Sequence, residues 1–330
     1  MTVIQFDPCE GGESREITLH DSESVLDGLL REGINIPFGC RSGVCQSCLL
    51  TAVEGELPPA SQVGLKSSQV DRGLFLSCSC IPNSGLKVQA ADLSSELLDA
   101  RVLELFPLNE HIFCLRLEKC IDYRPGQYAT LWQLEGVARS YSLASHPEKD
   151  NYLEFHIKRI PYGAFSDWAF ENLKKGDVVK VQGPMGACYY NDVDSEQPIL
   201  LSGIGTGLSP LYGIVVDAIN SSHTGPIKVY IGAKNASNFY FVDALHALNE
   251  RHSNIEIAFV SQEGSEDIQS PCFQQGDIYE FCKTQVGDFS GYAVYLCGAE
   301  SFVRKMKKMC FLNGAAMKDI QADPFIPFQA

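Results

Sequence analysis

The sequence predicts a multidomain α+β and α/β protein with three consecutive folding units. Up to residue 93, short β-type runs surround one helix. Between residues 97 and 194, many short β-type runs are separated by turns, and beyond residue 195 apolar strands alternate with helices. The second pattern favours an antiparallel β-barrel and the third a doubly wound parallel sheet. The predicted domains are residues 1–93, 97–194 and 195–330.

The first unit is predicted to be a small sheet with one helix. Residues 3–6 and 16–19 read as two strands of a hairpin around Gly11 and Gly12. Val25, Leu26 and Leu29 recur at helical spacing, which predicts a helix over 22–31. Three further strands are predicted at 49–53, 74–78 and 86–89.

The second unit carries predicted strands at 100–105, 112–117, 127–131, 140–144, 152–157 and 178–182, with one helix at 165–173. The third unit carries predicted strands at 199–201, 227–231, 255–260 and 293–296. Its helices are predicted at 210–220, 241–249, 275–284 and 301–312.

Composition and charge exclude several classes of protein. Of the 330 residues, 45% are hydrophobic and 20% are charged, as in an ordinary globular protein with two or three domains. The net charge of −15 argues against nucleic acid or an anionic membrane as a partner. Thirteen cysteines in so long a chain are not a small disulfide scaffold, so we expect reduced thiols.

The sequence also gives an expectation about location. It contains no apolar run of about 18 residues, and its first residues lack a basic region followed by an apolar core. No membrane span or signal peptide is therefore predicted. We expect a cytoplasmic monomer.

Three cysteines lie in one short loop at the spacing Cys-x4-Cys-x2-Cys, namely Cys40, Cys45 and Cys48, and Cys78 follows later. Plant-type 2Fe–2S clusters are ligated at this spacing. Glycines in the loop let the backbone curl towards the sulfurs, and inward N–H groups suit an anionic centre. A gap of four residues is at the upper limit for a zinc site.

The fourth ligand could be Cys78 or Cys80. The loop resembles that of the plant-type 2Fe–2S ferredoxin family, a β-grasp fold that keeps 29 residues between its third and fourth ligands, as between Cys48 and Cys78. The resemblance implies that Cys40, Cys45, Cys48 and Cys78 hold the metal. Twelve acidic and six basic side chains up to residue 93 would favour a basic partner by steering, although a solvated surface explains them equally.

Two motifs in the second unit suit a flavin nucleotide. Residues 139–142 read Arg-Ser-Tyr-Ser, in which a guanidinium can pair with a pyrophosphate, a ring can stack on the isoalloxazine and a hydroxyl can bond flavin N5. Roughly twenty residues on, residues 163–166 read Gly-Ala-Phe-Ser and enter the predicted helix. N–H groups at a helix start can receive a phosphate.

Together the two motifs resemble the FAD-binding barrel of the ferredoxin–NADP reductase superfamily. The alternative is that Tyr141 is a half-buried strand residue and Arg139 a surface cation. The FAD contacts that the resemblance implies are Arg139, Tyr141, Ser142, Gly163 and Ser166, with His156 and Lys158 near the adenosine half.

A glycine-rich turn in the third unit suits a dinucleotide phosphate. Residues 201–210, Leu-Ser-Gly-Ile-Gly-Thr-Gly-Leu-Ser-Pro, follow a buried strand and open a helix. They resemble the Gly-Gly-x-Gly-x-x-Pro turn of the same superfamily, with Ile204 in place of a glycine. A turn used only for packing is the alternative. The candidates are Gly203, Gly205, Thr206 and Gly207.

Residues 295–299 resemble the Cys-Gly-Pro motif of the superfamily, with alanine in place of proline. The resemblance implies that Cys297 and Gly298 lie beside the nicotinamide, and that Cys297, with Tyr141 and Ser142, is nearest the chemistry without acting as a nucleophile. A buried strand cysteine is the alternative. The tail at 322–327 resembles the closing segment of the superfamily, so Phe325 is a candidate to approach the flavin, or else an ordinary packed residue.

The preferred nicotinamide cofactor follows from the residues after the second strand of the third unit. A 2′-phosphate calls for cations there. Residues 232–239 offer one lysine and no arginine, which favours NADH over NADPH.

As a whole the chain resembles the single-chain reductase components of bacterial multicomponent oxygenases, of the benzoate dioxygenase reductase type. The resemblance implies that electrons pass from NADH through FAD and a 2Fe–2S cluster to a terminal oxygenase or another acceptor protein. The cofactors carry such a reaction and the protein positions them. Two alternatives stay open: the reductase partner of a deoxysugar dehydratase of the CDP-6-deoxy-glucoseen type, and a redox-sensing carrier module without fast turnover.

Overall fold

The computed structural model describes residues 2–8, 12–133, 136–191, 193–264 and 272–326, so Gly11 of the predicted hairpin turn and Pro327 of the predicted tail lie outside the described residues. Its strands form three sheets in chain order: a mixed sheet, an antiparallel sheet and a parallel sheet. The predicted fold class is confirmed. The exact domain boundaries stay predictions.

The first unit is a five-stranded sheet in the order β2-β1-β5-β3-β4. β1 pairs antiparallel with β2 and in parallel with β5, a β-grasp arrangement. Helix α1 begins after Ser24, whose Oγ accepts the N–H of Asp27 and caps the first turn. The elements are β1 (Thr2–Asp7), β2 (Arg15–Leu19), α1 (Val25–Arg31), β3 (Leu49–Glu54), α2 (Ser67–Asp71), β4 (Leu74–Leu76) and β5 (Leu86–Ala90).

The second unit is an antiparallel sheet in the order β10-β7-β6-β11-β8-β9. A bridge between Leu143 and Phe155 joins the chain after β9 to β10, so the first and last strands of the sheet meet and a barrel forms. The elements are β6 (Leu98–Pro107), β7 (Ile112–Glu118), β8 (Tyr128–Trp132), β9 (Ala138–Ser142), β10 (Tyr152–Lys158), α3 (Ser166–Asn172) and β11 (Val178–Met185).

The third unit is a parallel sheet in the order β15-β14-β13-β12-β16-β17, with every pairing parallel. The sequence missed β15 and β17, and residue 275, predicted to open a helix, ends β15 instead. The elements are β12 (Ile199–Ile204), α4 (Leu208–Asn220), β13 (Ile227–Asn235), α5 (Val242–Arg251), β14 (Ile255–Glu263), β15 (Phe273–Gln275), α6 (Ile278–Val286), β16 (Ala293–Ala299), α7 (Glu300–Leu312) and β17 (Ile320–Phe325).

Apolar side chains form one core in each of the first two units and one on each face of the parallel sheet. Leu200 and Leu201, neighbours on β12, belong to opposite faces, as the alternation of side chains along a strand requires. α4 and α7, of 13 residues each, are the longest helices in the described part of the chain, where no helix has the length and apolar character of a membrane span.

Candidate cofactor sites

The cluster loop, residues 37–48, follows α1 and brings its first two cysteines together. Cys40 Sγ accepts backbone N–H bonds from Ser42, Val44 and Cys45 at 3.4, 3.3 and 3.3 Å. The Cys40 N–H lies 3.5 Å from Cys45 Sγ. N–H groups converging on a sulfur stabilise its thiolate, as an anionic metal centre needs.

The cluster loop can approach the sulfurs because two positions lack side chains. A Cβ on Gly39 would lie 3.3 Å from Cys45 Sγ, closer than most real Cβ contacts. Gly43 has a φ of +80°, and a Cβ there would lie 2.9 Å from Ser79 Oγ. A larger residue at either position would move the loop away from its ligands.

The four predicted ligands form two pairs of thiols. A hydrogen bond between Cys40 and Cys45 lowers the pKa of Cys40 to about 4 and raises the pKa of Cys45. A hydrogen bond between the thiols of Cys48 and Cys78 lowers the pKa of Cys78 to about 7 and raises the pKa of Cys48. Two irons ligated by four thiolates take two each, so the donor set fits a 2Fe–2S cluster. Ligation deprotonates every thiol, so cluster assembly releases protons.

The two candidates for the fourth ligand differ in their surroundings. Cys78 lies in a 3-10 turn, Ser77–Ser79, and not in a strand as predicted, since β4 ends before it. Its thiol interacts with Cys48 and is partly exposed. Cys80 is fully buried beside Ser61, and burial raises its pKa to about 12. These surroundings favour Cys78.

Strand β9 carries the predicted flavin motif. Tyr141 is half-buried, with its ring centroid 5.5 Å from that of Phe165. Ser142 is buried, and its Oγ donates to Asp323 Oδ2 at 3.1 Å. The Ser142 carbonyl accepts from Ser209 Oγ at 3.0 Å. The third unit therefore holds the end of this motif from two sides.

Arg139, at the other end of the motif, contacts the first unit. Its Nη1 donates to the backbone carbonyls of Ala138 at 2.7 Å and Phe38 at 3.2 Å. Burial lowers the pKa of its guanidinium. The guanidinium thus lies against the cluster loop, and its predicted contact with a pyrophosphate stays a prediction.

The turn before α3 depends on Gly163. A Cβ there would lie 2.6 Å from Ser166 Oγ and 2.8 Å from the Ile160 carbonyl oxygen. Ser166 Oγ accepts the Ile160 N–H at 3.1 Å, so the hydroxyl closes the turn. Lys158 is exposed at the end of β10. Tyr162, next to Gly163 in this turn, is 98% exposed at a φ of +62°.

His156 is buried in a network that joins the barrel to the third unit. Its Nε2 lies 3.0 Å from Glu154 Oε1 and its Nδ1 3.2 Å from Tyr240 Oη. Arg116 Nε donates to Glu154 Oε2 at 2.6 Å. Cys114 completes a group of potential metal ligands, but the Arg116 cation opposes a metal ion there. The His156 side chain has no exposed surface, and its predicted adenosine contact stays a prediction.

The glycines after β12 divide into two kinds. A Cβ on Gly207 would lie 2.2 Å from the Cys297 carbonyl oxygen, and one on Gly203 would lie 3.0 Å from the same atom. These two residues let the turn pack against β16. Gly205, at a φ of +56°, is exposed and Thr206 is half-buried. Both residues follow the carboxyl end of β12 and are accessible there. Ligands of parallel sheets bind at the carboxyl ends of the strands.

Cys297 lies next to Asp323, its register partner on β17. Its Sγ is 3.9 Å from Cys188 Sγ, and burial raises its pKa well above the ordinary value, so it is a neutral thiol. Gly298 follows at a φ of +127°, which a residue with a Cβ rarely adopts. Phe325 ends β17 and is half-buried.

The sequence missed Asp323. Burial raises the pKa of its carboxyl to about 6, and the hydrogen bond from Ser142 opposes that shift. The sequence analysis placed the tail near the flavin through Phe325 alone and did not predict β17, which pairs Asp323 with Cys297. A carboxylate two residues before Phe325 was the only signal.

All three units meet at one cavity. It measures ≈ 170 Å³ and is open on one side. Val44 lines it from the cluster loop, Tyr128 from β8, Cys188 from the chain after β11 and Asp323 from β17. Two lining residues adjoin predicted site residues: Val44 precedes Cys45 in the chain, and Asp323 accepts from Ser142 and pairs in register with Cys297.

Three protein-family models match the chain. A 2Fe–2S iron–sulfur cluster binding domain matches residues 10–83, an oxidoreductase FAD-binding domain matches 105–190, and an oxidoreductase NAD-binding domain matches 200–308. The chain belongs to the ferredoxin–NADP reductase superfamily. It is a single-chain reductase of that superfamily with its own 2Fe–2S domain, so the predicted cofactors and the predicted class of oxidoreductase are confirmed.

Relatives cover nearly the whole chain. The reductase component of the naphthalene 1,2-dioxygenase system of Pseudomonas putida is 29% identical over 322 residues, 95% of this chain and 97% of that protein. The CDP-6-deoxy-L-threo-D-glycero-4-hexulose-3-dehydrase reductase of Yersinia pestis is 25% identical over 320 residues, 94% and 95% of the two chains. The crystal structure of the Amycolatopsis cytochrome P450 reductase GcoB matches with a TM-score of 0.68, 26% identity and 99% coverage of each chain.

Proposed function

We propose that the chain is the NADH-dependent reductase component of an oxygenase system and delivers electrons to a terminal oxygenase. The chain carries three matching domains, and a relative named as the reductase component of a dioxygenase system matches over 95% of the chain. When bound, FAD would accept one hydride, which carries two electrons, and the 2Fe–2S cluster would pass those electrons on one at a time. The chain's own residues bind and orient these groups.

One observation carries the proposal: the predicted flavin strand β9 is contacted from both of the other units. Arg139, at its start, donates to Phe38 of the cluster loop. Ser142, at its end, donates to Asp323 and accepts from Ser209. A flavin bound along β9 would have the iron–sulfur unit at one end and the nicotinamide unit at the other, the order that the electron path requires.

The residues around the hydride-transfer position have distinct proposed roles. The Ser142–Asp323 hydrogen bond fixes the direction of the Ser142 hydroxyl, so its proton is shared with Asp323 Oδ2. Cys297 stays protonated because it is buried, so it shapes the surface beside the nicotinamide without attacking it. Gly203 and Gly207 let the dinucleotide turn reach β16.

The surroundings of Lys234 support NADH as the donor. Lys234, at the end of β13, is the lysine expected to meet a 2′-phosphate. Its Nζ lies 3.6 Å from Glu263 Oε1, so a carboxylate already stands beside this exposed lysine. A 2′-phosphate would have to compete with that carboxylate. We expect anaerobic flavin reduction to saturate at a lower concentration of NADH than of NADPH.

The test is anaerobic reduction of the purified holoprotein. NADH should bleach the flavin and cluster absorbance within seconds and produce a rhombic EPR signal from the reduced cluster. Spectra that NADH leaves unchanged would support a redox-sensing carrier instead. A protein that releases no yellow chromophore on denaturation and shows no EPR signal on reduction with dithionite would contradict the proposal.

The acceptor is tested separately, because the Yersinia relative, which matches over 94% of this chain, is named as a dehydrase reductase. The reduced holoprotein is mixed with purified terminal oxygenases or deoxysugar dehydratases encoded beside its gene. Product formation with an oxygenase supports the proposed partner, and product formation with a dehydratase alone favours the alternative. Sedimentation of the holoprotein tests the proposed monomer.

A further inference from the structure

The cluster loop lies against the barrel through its backbone carbonyl groups. Four carbonyls accept hydrogen bonds from barrel side chains: Phe38 from Arg139 Nη1 at 3.2 Å, Val44 from Tyr128 Oη at 3.1 Å, Cys45 from Thr130 Oγ1 at 2.8 Å and Gln46 from Gln182 Nε2 at 3.4 Å. The C=O and N–H of a trans peptide point in opposite directions. A loop whose carbonyls face the barrel therefore turns its amide N–H groups the other way.

One peptide group shows both ends of this arrangement. The carbonyl of Val44 accepts from Tyr128 Oη, and the N–H of the same peptide, which belongs to Cys45, donates to Cys40 Sγ at 3.3 Å. Hydrogen bonds at the two ends of a peptide polarise it and strengthen each other. A single peptide thus connects a barrel hydroxyl to the sulfur of a proposed iron ligand.

The next peptide is held by a second hydroxyl of the same strand. Thr130 is two residues after Tyr128 on β8, so both side chains point to the same face. Thr130 Oγ1 donates to the Cys45 carbonyl and lies 2.8 Å from Ser140 Oγ, which fixes its direction. Thr130 has no exposed surface, so water does not compete for its bond, whereas Tyr128 is 9% exposed and lines the open cavity.

We propose that Tyr128 and Thr130 are positioning residues that tune the iron–sulfur centre from the neighbouring domain. They fix the peptides on either side of Cys45 so that its N–H stays directed at the Cys40 sulfur. Hydrogen bonds to the sulfurs raise the reduction potential of a cluster, because reduction adds negative charge that the donors stabilise. This inference rests on the proposed role of Cys40 and Cys45 as iron ligands.

The test uses substitutions that remove one hydroxyl and keep the shape of the side chain. Tyr128→Phe and Thr130→Val are compared with the wild type by EPR-monitored redox titration of the anaerobic holoprotein. Both should shift the midpoint potential of the cluster to more negative values, and the double variant should shift it further. The matched control is Tyr123→Phe, which removes a buried barrel hydroxyl bonded to Ser145 and away from the loop. It should leave the potential unchanged.

The outcomes separate this inference from the proposed function. A wild-type protein without a rhombic EPR signal contradicts the proposed function. A wild-type signal together with unshifted potentials in Tyr128→Phe and Thr130→Val overturns the inference alone. An equal shift in Tyr123→Phe also overturns it, because the effect would then come from general loosening of the barrel. If one variant loses its cluster, the other still decides the question.

Discussion

Cys78 and Cys80 are two residues apart, yet the structure gives their thiols different partners. The Cys78 thiol interacts with Cys48, and the Cys80 thiol lies in the core beside Ser61. We therefore expect Cys78→Ser to lose most of its iron and the rhombic EPR signal while retaining FAD. Cys80→Ser should retain the iron, the EPR signal and FAD. Iron analysis and EPR of the dithionite-reduced variants measure this. A silent Cys80→Ser beside an EPR-active Cys78→Ser would assign the fourth ligand to Cys80.

Asp323 makes stability depend on pH with a defined sign. An ordinary aspartate has a pKa near 3.9, and burial raises that of Asp323 to about 6 in the folded protein. The folded state thus holds this proton more tightly, so its stabilising effect is complete below about pH 4 and is lost as the pH rises through about 6. A pKa difference of about 2 between the folded and unfolded states corresponds to about 3 kcal/mol of stability.

We expect Asp323→Asn to raise the free energy of unfolding of the apoprotein relative to the wild type, by more at pH 8 than at pH 4.5. Chemical denaturation across this range measures the difference. The control is Asp288→Asn. A hydrogen bond from Ser290 lowers the pKa of Asp288, so this substitution should lower the free energy of unfolding instead of raising it. A difference between Asp323→Asn and the wild type that does not change with pH would contradict the shifted pKa.

At the scale of elements, periodicity predicted the long strands and helices well and the short or late ones poorly. The prediction places a helix at 301–312, and α7 begins one residue earlier, at Glu300. The agreement is close because a helix of 13 residues shows its full amphipathic pattern in the sequence. β15 has only three residues, and β17 contains Pro324, which disfavours a strand unless it lies at a sheet edge. β17 is one of the two edge strands of this sheet, a fact that only the tertiary structure supplies.

The same limit explains which site residues the sequence could predict. The spacing of Cys40, Cys45 and Cys48 is local, so the cluster loop was evident from the sequence. Asp323 became a candidate only when β17 was seen beside Cys297. Tyr128 lies in an apolar stretch and gives no sign in the sequence that it reaches the cluster loop.

The buried network on β10 predicts a large loss of stability from one substitution. The Glu154 side chain is 6% exposed and is bonded to both Arg116 and His156. These partners keep its pKa below the ordinary value although burial acts to raise it. Glu154→Gln leaves Arg116 with only its exposed partner Glu104 and removes the carboxylate beside buried His156, so it should lower the free energy of unfolding by about 2 kcal/mol.

Glu104→Gln is the matched control for this prediction. Glu104 Oε2 also pairs with Arg116, at 2.8 Å, but its side chain is 51% exposed. Exposed pairs contribute little, so this variant should lose about 0.5 kcal/mol or less. Chemical denaturation of both apoproteins at pH 7 makes the comparison. Equal losses would show that burial of the network does not determine its contribution.

At the scale of the whole molecule, the charge of the chain and the packing of the cluster loop both affect how an acceptor approaches the iron–sulfur centre. The chain carries 41 acidic and 26 basic side chains, and the first unit is itself acidic. Because the cluster loop is seated against the barrel, an acceptor must reach the iron–sulfur centre from the exposed side of the loop, where Ser42 lies. An acidic surface around that side would favour a basic acceptor by electrostatic steering.

This arrangement predicts opposite salt effects for acceptors of opposite charge. With excess NADH, reduction of the basic protein cytochrome c should slow as ionic strength rises towards 0.15 M, where the Debye length is about 8 Å, and reduction of anionic ferricyanide should not slow. Steady-state rates at several salt concentrations measure both. Glu32→Lys, an exposed residue after α1, should slow cytochrome c reduction at low salt, and Glu300→Lys, exposed on α7 of the third unit, serves as its control. If the two variants slow the reaction equally, the net charge of the molecule attracts the acceptor and the first unit does not provide a specific docking face.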